Sequence, residues 1–205
     1  MKIKNIPSGP LQVNTYLTWD EETKKGFIVD PGGFDARMIE AIAEEEIDLQ
    51  YILLTHGHSD HIGGVKECME TYPEAKLVFS EAEKPMLANA PLDLQGNGEV
   101  LHLTPDIAVV DEDHIQIGNM DLRFLMTPGH TKGGMCIVVD KVCFCGDTLF
   151  RQSIGRTDFE GGDFGEIIKS IRTKLFTLPD DTLCLPGHMA TTTIGFEKEN
   201  NPFVV

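Results

Sequence analysis

Tyr51-Ile52-Leu53-Leu54-Thr55-His56-Gly57-His58-Ser59-Asp60-His61 is the stretch on which the reading of this chain turns. A short apolar run of strand character ends in three imidazoles and a carboxylate within six residues, 56–61. All of these side chains are metal-ligand types, and neutral imidazole with carboxylate suits zinc above most ions. At this chain's own His and Asp frequencies, H-x-H-x-D-H would arise by chance in on the order of one such chain in a thousand. A solvated polar turn seldom crowds histidines this way. The segment therefore reads as a metal-binding loop at a strand end.

The same template recurs further along. Leu122–Met126 runs into Thr127-Pro128-Gly129-His130, Val142–Cys145 into Gly146-Asp147, and Leu183–Leu185 into Pro186-Gly187-His188. Each is a short apolar strand, a glycine-containing turn, and then a ligand-type residue. In layered α/β proteins, sites gather in the loops beyond the carboxyl ends of strands. Alone, His130 or His188 would read as a hydrogen-bonded turn residue; beside the 56–61 cluster both read as ligands. His56, His58, Asp60, His61, His130, Asp147 and His188 are too many for one tetrahedral zinc. They suit two metals with Asp147 as the bridging carboxylate, and a pair about 3.5–4 Å apart can share a hydroxide for hydrolysis. His102 and His114 lack such a context and read as surface residues.

The rest of the chain sets limits on partners and compartment. Its 205 residues, 41% of them hydrophobic, suffice for a real core in a single domain spanning 1–205. A net charge of -16 disfavours nucleic acid and anionic membrane surfaces as partners. No signal peptide or transmembrane stretch is evident. The odd set Cys68, Cys136, Cys143, Cys145 and Cys184 reads as reduced, buried thiols of a cytoplasmic protein. Cys143 and Cys145 would share one strand face, with packing favoured over a metal role.

Strand and helix patterns are mixed throughout. Val13–Trp19 and Phe27–Val29 predict a hairpin around the polar stretch 20–25. Met38, Ile39, Ile42 and Ala43 predict a helix capped by Asp35, and Val65, Cys68, Met69 and Tyr72 predict another that Pro73 closes. Asp163 with Glu166 has the spacing of a capping box, ahead of a helix with Phe164, Ile167, Ile168, Ile171 and Leu175 inward. Residues 84–106, rich in proline, read as an exposed loop or lid with one short helix.

The motifs T-H-G-H-S-D-H, T-P-G-H-T, C-G-D and P-G-H, in this order, resemble the metallo-β-lactamase superfamily of binuclear metal hydrolases, over nearly the whole chain. The resemblance implies an αβ/βα sandwich, an α/β fold of two mixed β-sheets flanked by helices. It implies a first metal on His56, His58 and His130, a second on Asp60, His61 and His188, and Asp147 between them. The metals would be two divalent ions, zinc foremost, with iron or manganese as alternatives. Asp60 would also orient the attacking hydroxide. Asp30, in Val-Asp-Pro-Gly-Gly, matches an early strand-end aspartate that orients a ligand; as a residue it reads equally as a turn former.

Within the superfamily, the best-known true β-lactamases carry cysteine at the position of Asp147 and are exported. Flavodiiron proteins carry glutamate at that of His58. Members that process RNA fit poorly with the acidic charge. Gly155-Arg156-Thr157-Asp158-Phe159 resembles both glyoxalase II-like thioester hydrolases and persulfide dioxygenases with a mononuclear iron. The ending from Leu185 to Phe203 looks most like short glyoxalase II-like proteins, whereas the dioxygenases typically have alanine where Gly187 stands. The chain stops where full-length glyoxalase II adds a helical glutathione-binding domain. The expected function is thus a thioesterase acting on S-lactoylglutathione or a related small-molecule thioester. Alternatives are the dioxygenase and a metal-binding protein without turnover. Arg156 is the candidate substrate-binding residue, as a bidentate partner of a carboxylate or, equally, as a local ion pair with Asp158.

Overall fold

The computed structural model describes residues 1–92 and 99–204. Alternation of side chains along the strands decides the architecture. In Phe27-Ile28-Val29, Phe27 and Val29 share one buried cluster while Ile28 belongs to another. Phe144 likewise points away from its neighbours Cys143 and Cys145. Both faces of these strands are therefore buried, as expected when each sheet has a sheet on one side and helices on the other.

Two six-stranded sheets result. The first runs Lys2–Ser8, Val13–Trp19, Lys25–Val29, Asp48–Leu53, Lys76–Ser80 and Ile107–Val109, antiparallel at its start and parallel from the third strand onward. The helices Ala36–Glu44 and Val65–Thr71 make the crossovers between its parallel strands. The second sheet runs Thr192–Thr193, Leu183–Pro186, Val142–Gly146, Met135–Val139, Met120–Met126 and His114–Ile117, with one parallel pair, Val142–Gly146 beside Leu183–Pro186.

Three buried clusters mark the layers. Tyr16, Phe27, Leu53, Phe124, Ile137 and Phe144 fill the space between the sheets. Ile28, Ile52 and Leu77 meet Met38, Ile42 and Val65 of the crossover helices on the outer face of the first sheet. Leu125, Cys143 and Cys184 meet Ile167, Ile171 and Leu175 outside the second. This is the four-layer sandwich of two mixed sheets flanked by helices.

Several local expectations are refined. The strand Lys2–Ser8 was not anticipated, because it lies at a sheet edge with Ile6 buried among largely exposed neighbours, so its alternation is faint. Stretch 84–106 is less exposed than its prolines suggest. The helix Lys84–Leu87 and the pair Ala90–Pro91 with Val100–Leu101 send Leu87, Ala90 and Leu101 into the core. Residues 93–98, part of the anticipated loop, lie outside the described residues. Asp163 caps the helix Phe164–Thr173 by accepting from the Glu166 amide, but its own N–H donates to Gly129 O, so the reciprocal half of a capping box is not made. Phe164, expected inward, is exposed at the first turn, and Leu175 is buried just past the helix end. Cys143 and Cys145 do share a face, with Sγ atoms 3.7 Å apart in the helix-side core. His102 and His114 are exposed.

Candidate metal centre

Parallel pairing brings the ligand-bearing turns to one edge. Lys25–Val29 beside Asp48–Leu53 sets Asp30 against Thr55 and His56, and the Asp30 N–H donates to Leu53 O at 3.0 Å. Val142–Gly146 beside Leu183–Pro186 sets Asp147 next to Gly187 and His188, with Gly187 N–H donating to Gly146 O at 2.8 Å. The two sheets are tied here by Met135 N–H donating to Thr55 O at 3.0 Å. His58 precedes the short helix Ser59–Ile62, which carries Asp60 and His61. The edge is a structural consequence of four strand ends meeting.

All seven expected ligands converge there. His56, His58 and His130 form one group whose ligating atoms lie within 4.8 Å of one another, and Asp60, His61 and His188 form a second. Asp147 faces both groups: Oδ1 is 3.4 Å from His61 Nε2, while Oδ2 is 3.6 Å from His130 Nε2 and 3.7 Å from His188 Nε2. A third close set, Asp30, His56 and His61, is a poorer ligand group. The Asp30 carboxylate already accepts from Thr55 N–H at 2.7 Å, Thr55 Oγ1 at 2.6 Å and His61 Nδ1 at 2.9 Å.

That use of Asp30 fixes the orientation of His61. With Nδ1–H held by the carboxylate, Nε2 is turned toward Asp60 and Asp147. Asp30 is also a turn former, with φ of 48°. Both sequence readings of this residue are thus realised. His130 is oriented in the same manner by its Nδ1 donating to Arg156 O at 2.7 Å. His58 Nδ1 and His130 Nε2 then lie 2.8 Å apart.

The donor set fits a metal on this structure's own evidence. His56 Nε2, His61 Nε2 and Asp147 Oδ1 are buried and have no hydrogen-bond partner, a cost that native interiors avoid unless something else satisfies the group. Burial, reinforced by His61 and His130, pushes His56 well below the usual histidine pKa. Burial and His130 likewise push His58 down to about 4, and burial lowers His130. These rings are neutral at pH 7, which is the ligating form. Burial would also discharge His61, but Asp147 and Asp30 outweigh it and hold its pKa well above the ordinary value. Burial alone would raise the carboxyls, yet Asp60 is held at about 2 by His188 and His61, and Asp147 is lowered by His61. The pocket asks for positive charge where the two carboxylates meet the imidazoles.

A pH dependence follows. Imidazoles with depressed pKa stabilise the fold fully above the unfolded value of about 6.5 and lose that contribution as pH falls toward the folded value. Thermal unfolding of chelator-treated protein is expected at progressively lower temperature from pH 6.5 to 4, the window set by His58. His61, shifted upward, has the opposite sign: its contribution is complete on the acid side and is lost as pH rises through its folded value. A constant melting temperature from pH 6.5 to 4 would show that the three neutral rings take up protons without cost.

Arg156 lines the cavity beside the centre, and its guanidinium donates to Asp158 from Nε at 2.8 Å and from Nη2 at 2.7 Å while lying 3.7 Å over the Phe159 ring centroid. The local ion pair with Asp158 is thus formed, between two exposed side chains. Glu83 is a residue that sequence reasoning passed over. It is 2% exposed and accepts from Gly57 N–H at 2.9 Å, Gly133 N–H at 2.8 Å and Thr131 Oγ1 at 3.1 Å. It thereby braces the loop of His56 and His58 against the loop after His130. Its only signal was the Ser80…Glu83 spacing, which reads as an ordinary helix start; Ser80 Oγ does accept from the Glu83 N–H.

Comparison with known proteins places the chain and its fold in one family. The family profile described as the metallo-beta-lactamase superfamily matches residues 8–188. The chain is 39% identical over 209 residues to the hydroxyacylglutathione hydrolase GloC of Haemophilus influenzae, covering 100% of this chain and 98% of that protein. Among solved structures, the BLEG-1 B3 metallo-beta-lactamase superposes with a TM-score of 0.91 at 36% identity, with 100% of both chains covered. TTHA1623, solved in a di-iron-bound form, superposes with a TM-score of 0.85 at 29% identity, covering 98% of this chain and 99% of that one. With its ligand motifs, its four layers and these relatives in agreement, the chain belongs to the metallo-beta-lactamase superfamily.

Proposed function

We propose that this protein is a metal-dependent thioesterase that uses two divalent ions, zinc foremost, to hydrolyse S-lactoylglutathione or a related small-molecule thioester. The observation that carries the proposal is the position of Asp147, with one oxygen toward His61 and the other toward His130 and His188. The name of the Haemophilus influenzae relative supports the substrate class, and the di-iron form of TTHA1623 supports a two-ion centre.

His56, His58 and His130 would hold one ion, Asp60, His61 and His188 the other, and Asp147 both. Bound there, the ions supply Lewis acidity toward the acyl oxygen and make water a competent nucleophile at neutral pH. The chain's own groups do the rest. Asp30 and Arg156 O hold the Nδ1 protons of His61 and His130, so that each Nε2 faces inward. Asp60, ionised at neutral pH, accepts a hydrogen bond from the attacking water and aligns it. In the reaction a C–O bond forms from water to the acyl carbon, the C–S bond breaks, and the departing sulfur takes up a proton.

Gly187 favours this reading over an iron dioxygenase. Alanine, which the dioxygenases typically carry there, would set its Cβ 2.4 Å from Asp147 Oδ1 and 2.5 Å from His61 Cε1 in this chain. We further place the protein in the cytoplasm as a reduced protein: all five cysteines are free and buried, and among the described residues no helix is long and apolar enough to cross a membrane. Metal quantification with thioester assays is the test. About two ions per chain, release of free thiol, no oxygen consumption and loss of activity on chelation are expected. One iron per chain with oxygen uptake would replace the thioesterase by a dioxygenase.

A further inference from the structure

The cavity beside the ligand cluster measures about 700 Å³, within the range of small-molecule sites. One flank is the His and Asp cluster. The other walls are mainly apolar, made by Leu11, Met86, Phe150, Ile154, Phe159 and Met189, with Ser153 and Arg156 among them. At the mouth, Leu11, Phe159 and Met189 remain 47%, 45% and 59% exposed. Phe159 also stands edge-on to the His58 ring, 5.4 Å between centroids, so the apolar wall begins directly against a ligand. Large apolar side chains gathered at a cavity mouth are surface that a bound ligand would cover.

The distribution of cations is equally informative. Among the described residues that line this cavity, Arg156 is the one cation, and its guanidinium is engaged by Asp158 and stacked on Phe159. Residues 93–98, Asp-Leu-Gln-Gly-Asn-Gly, contain no lysine or arginine. Lys132 lines an adjoining depression on the far side of the shared Met86 and Pro91, where Glu160 stands beside it. Glutathione brings two carboxylates and an ammonium to such a site. Burying carboxylates against the apolar walls, away from the ligand cluster and without a free side-chain cation, costs more than the contacts return.

We infer that the substrate's body, beyond the bond that is hydrolysed, is apolar and free of carboxylates, so that this site takes acyl thioesters of an uncharged thiol in preference to glutathione thioesters. The inference rests on the thioesterase reading above and, within it, chooses the related small-molecule thioesters over S-lactoylglutathione itself. It is specific to the six apolar wall residues and to the engaged state of Arg156.

The experiment uses metal-loaded protein and a two-by-two set of thioesters: lactoyl and hexanoyl groups, each on glutathione and on N-acetylcysteamine. At fixed acyl group, kcat/KM is expected to be at least about tenfold higher on N-acetylcysteamine, and hexanoyl is expected to exceed lactoyl. Equal or better turnover of S-lactoylglutathione overturns the inference and leaves the thioesterase reading standing. A binding arm decides independently of turnover. By calorimetry, the thioether S-hexyl-N-acetylcysteamine is expected to bind at least about tenfold more tightly than S-hexylglutathione. The reverse order overturns the assignment. Failure to cleave any of the four thioesters would instead remove the thioesterase reading, with the binding order still deciding the ligand class. Arg156→Ala is expected to leave the ratio between the two thiol series within about twofold. A loss confined to the glutathione series would mean that Arg156 leaves Asp158 to hold a carboxylate, which also overturns it.

Discussion

Asp147→Ala is expected to leave about one metal equivalent per chain and to lower kcat/KM on the order of a thousandfold, equivalent to roughly 4 kcal/mol of transition-state stabilisation. The argument is geometric. Asp147 follows the strand Val142–Gly146, and its carboxylate faces both ligand groups at 3.4–3.7 Å, Oδ1 toward His61 and Oδ2 toward His130 and His188. Each triplet without it contains only three donors, and two dications held by these neighbouring triplets would need an anion to offset their repulsion. Loss of the carboxylate also removes the main counter-charge of His61, whose pKa should then fall. Asp147→Asn separates charge from shape, since it keeps the volume and one oxygen. It is expected to resemble the alanine variant in metal content. Two ions bound and near-normal turnover in the Asn variant would show that Asp147 is not a shared ligand.

Much of this site was legible because its signals are local. His56, His58, Asp60 and His61 occupy one loop, so their spacing is visible without a fold. His130, Asp147 and His188 are distant in sequence, yet each follows a strand and a glycine turn, and strand ends meet at sheet edges. The four layers were legible only through the family resemblance; runs such as Phe27-Ile28-Val29 and Cys143-Phe144-Cys145 show why they form, since both faces are buried. What could not be read is set by long-range packing. Glu83 looks like one acid among several at a helix start, and only the tertiary fold turns it inward onto Gly57 and Gly133. Arg156 could pair within its loop or with a ligand, because residue type alone does not choose between partners two residues away and partners in solution. The apolar lining of the cavity comes from six separated positions, from Leu11 to Met189, which no single stretch of sequence brings together.

Gly187→Ala is expected to cost one metal equivalent, roughly a hundredfold in kcat/KM, and about 1–3 kcal/mol of stability from overpacking. The backbone at Gly187 does not occupy the left-handed region, so alanine meets no conformational penalty there. The obstacle is space alone. Its Cβ would lie 2.4 Å from Asp147 Oδ1 and 2.5 Å from His61 Cε1, far inside contact distance. The main chain has no room to retreat, since Gly187 N–H donates to Gly146 O and its carbonyl accepts from Asn14 N–H, each at 2.8 Å. Neighbouring Pro186 O is held too, by Tyr16 OH at 2.8 Å and Asn14 Nδ2 at 3.0 Å. Asp147 and His61 must therefore move, and these are the residues expected to join the two ions. His61 is further pinned through Nδ1 to Asp30, which leaves the Asp147 carboxylate as the softer element. The first triplet, His56, His58 and His130, lies away from the new methyl and should keep its ion. Metal content and melting temperature, measured on the same preparation with and without chelator, separate the two effects. The overpacking loss persists without metal, whereas the loss of one ion appears only in the loaded protein. Retention of both ions at full turnover would mean that the edge of the second sheet yields where these hydrogen bonds say it should not.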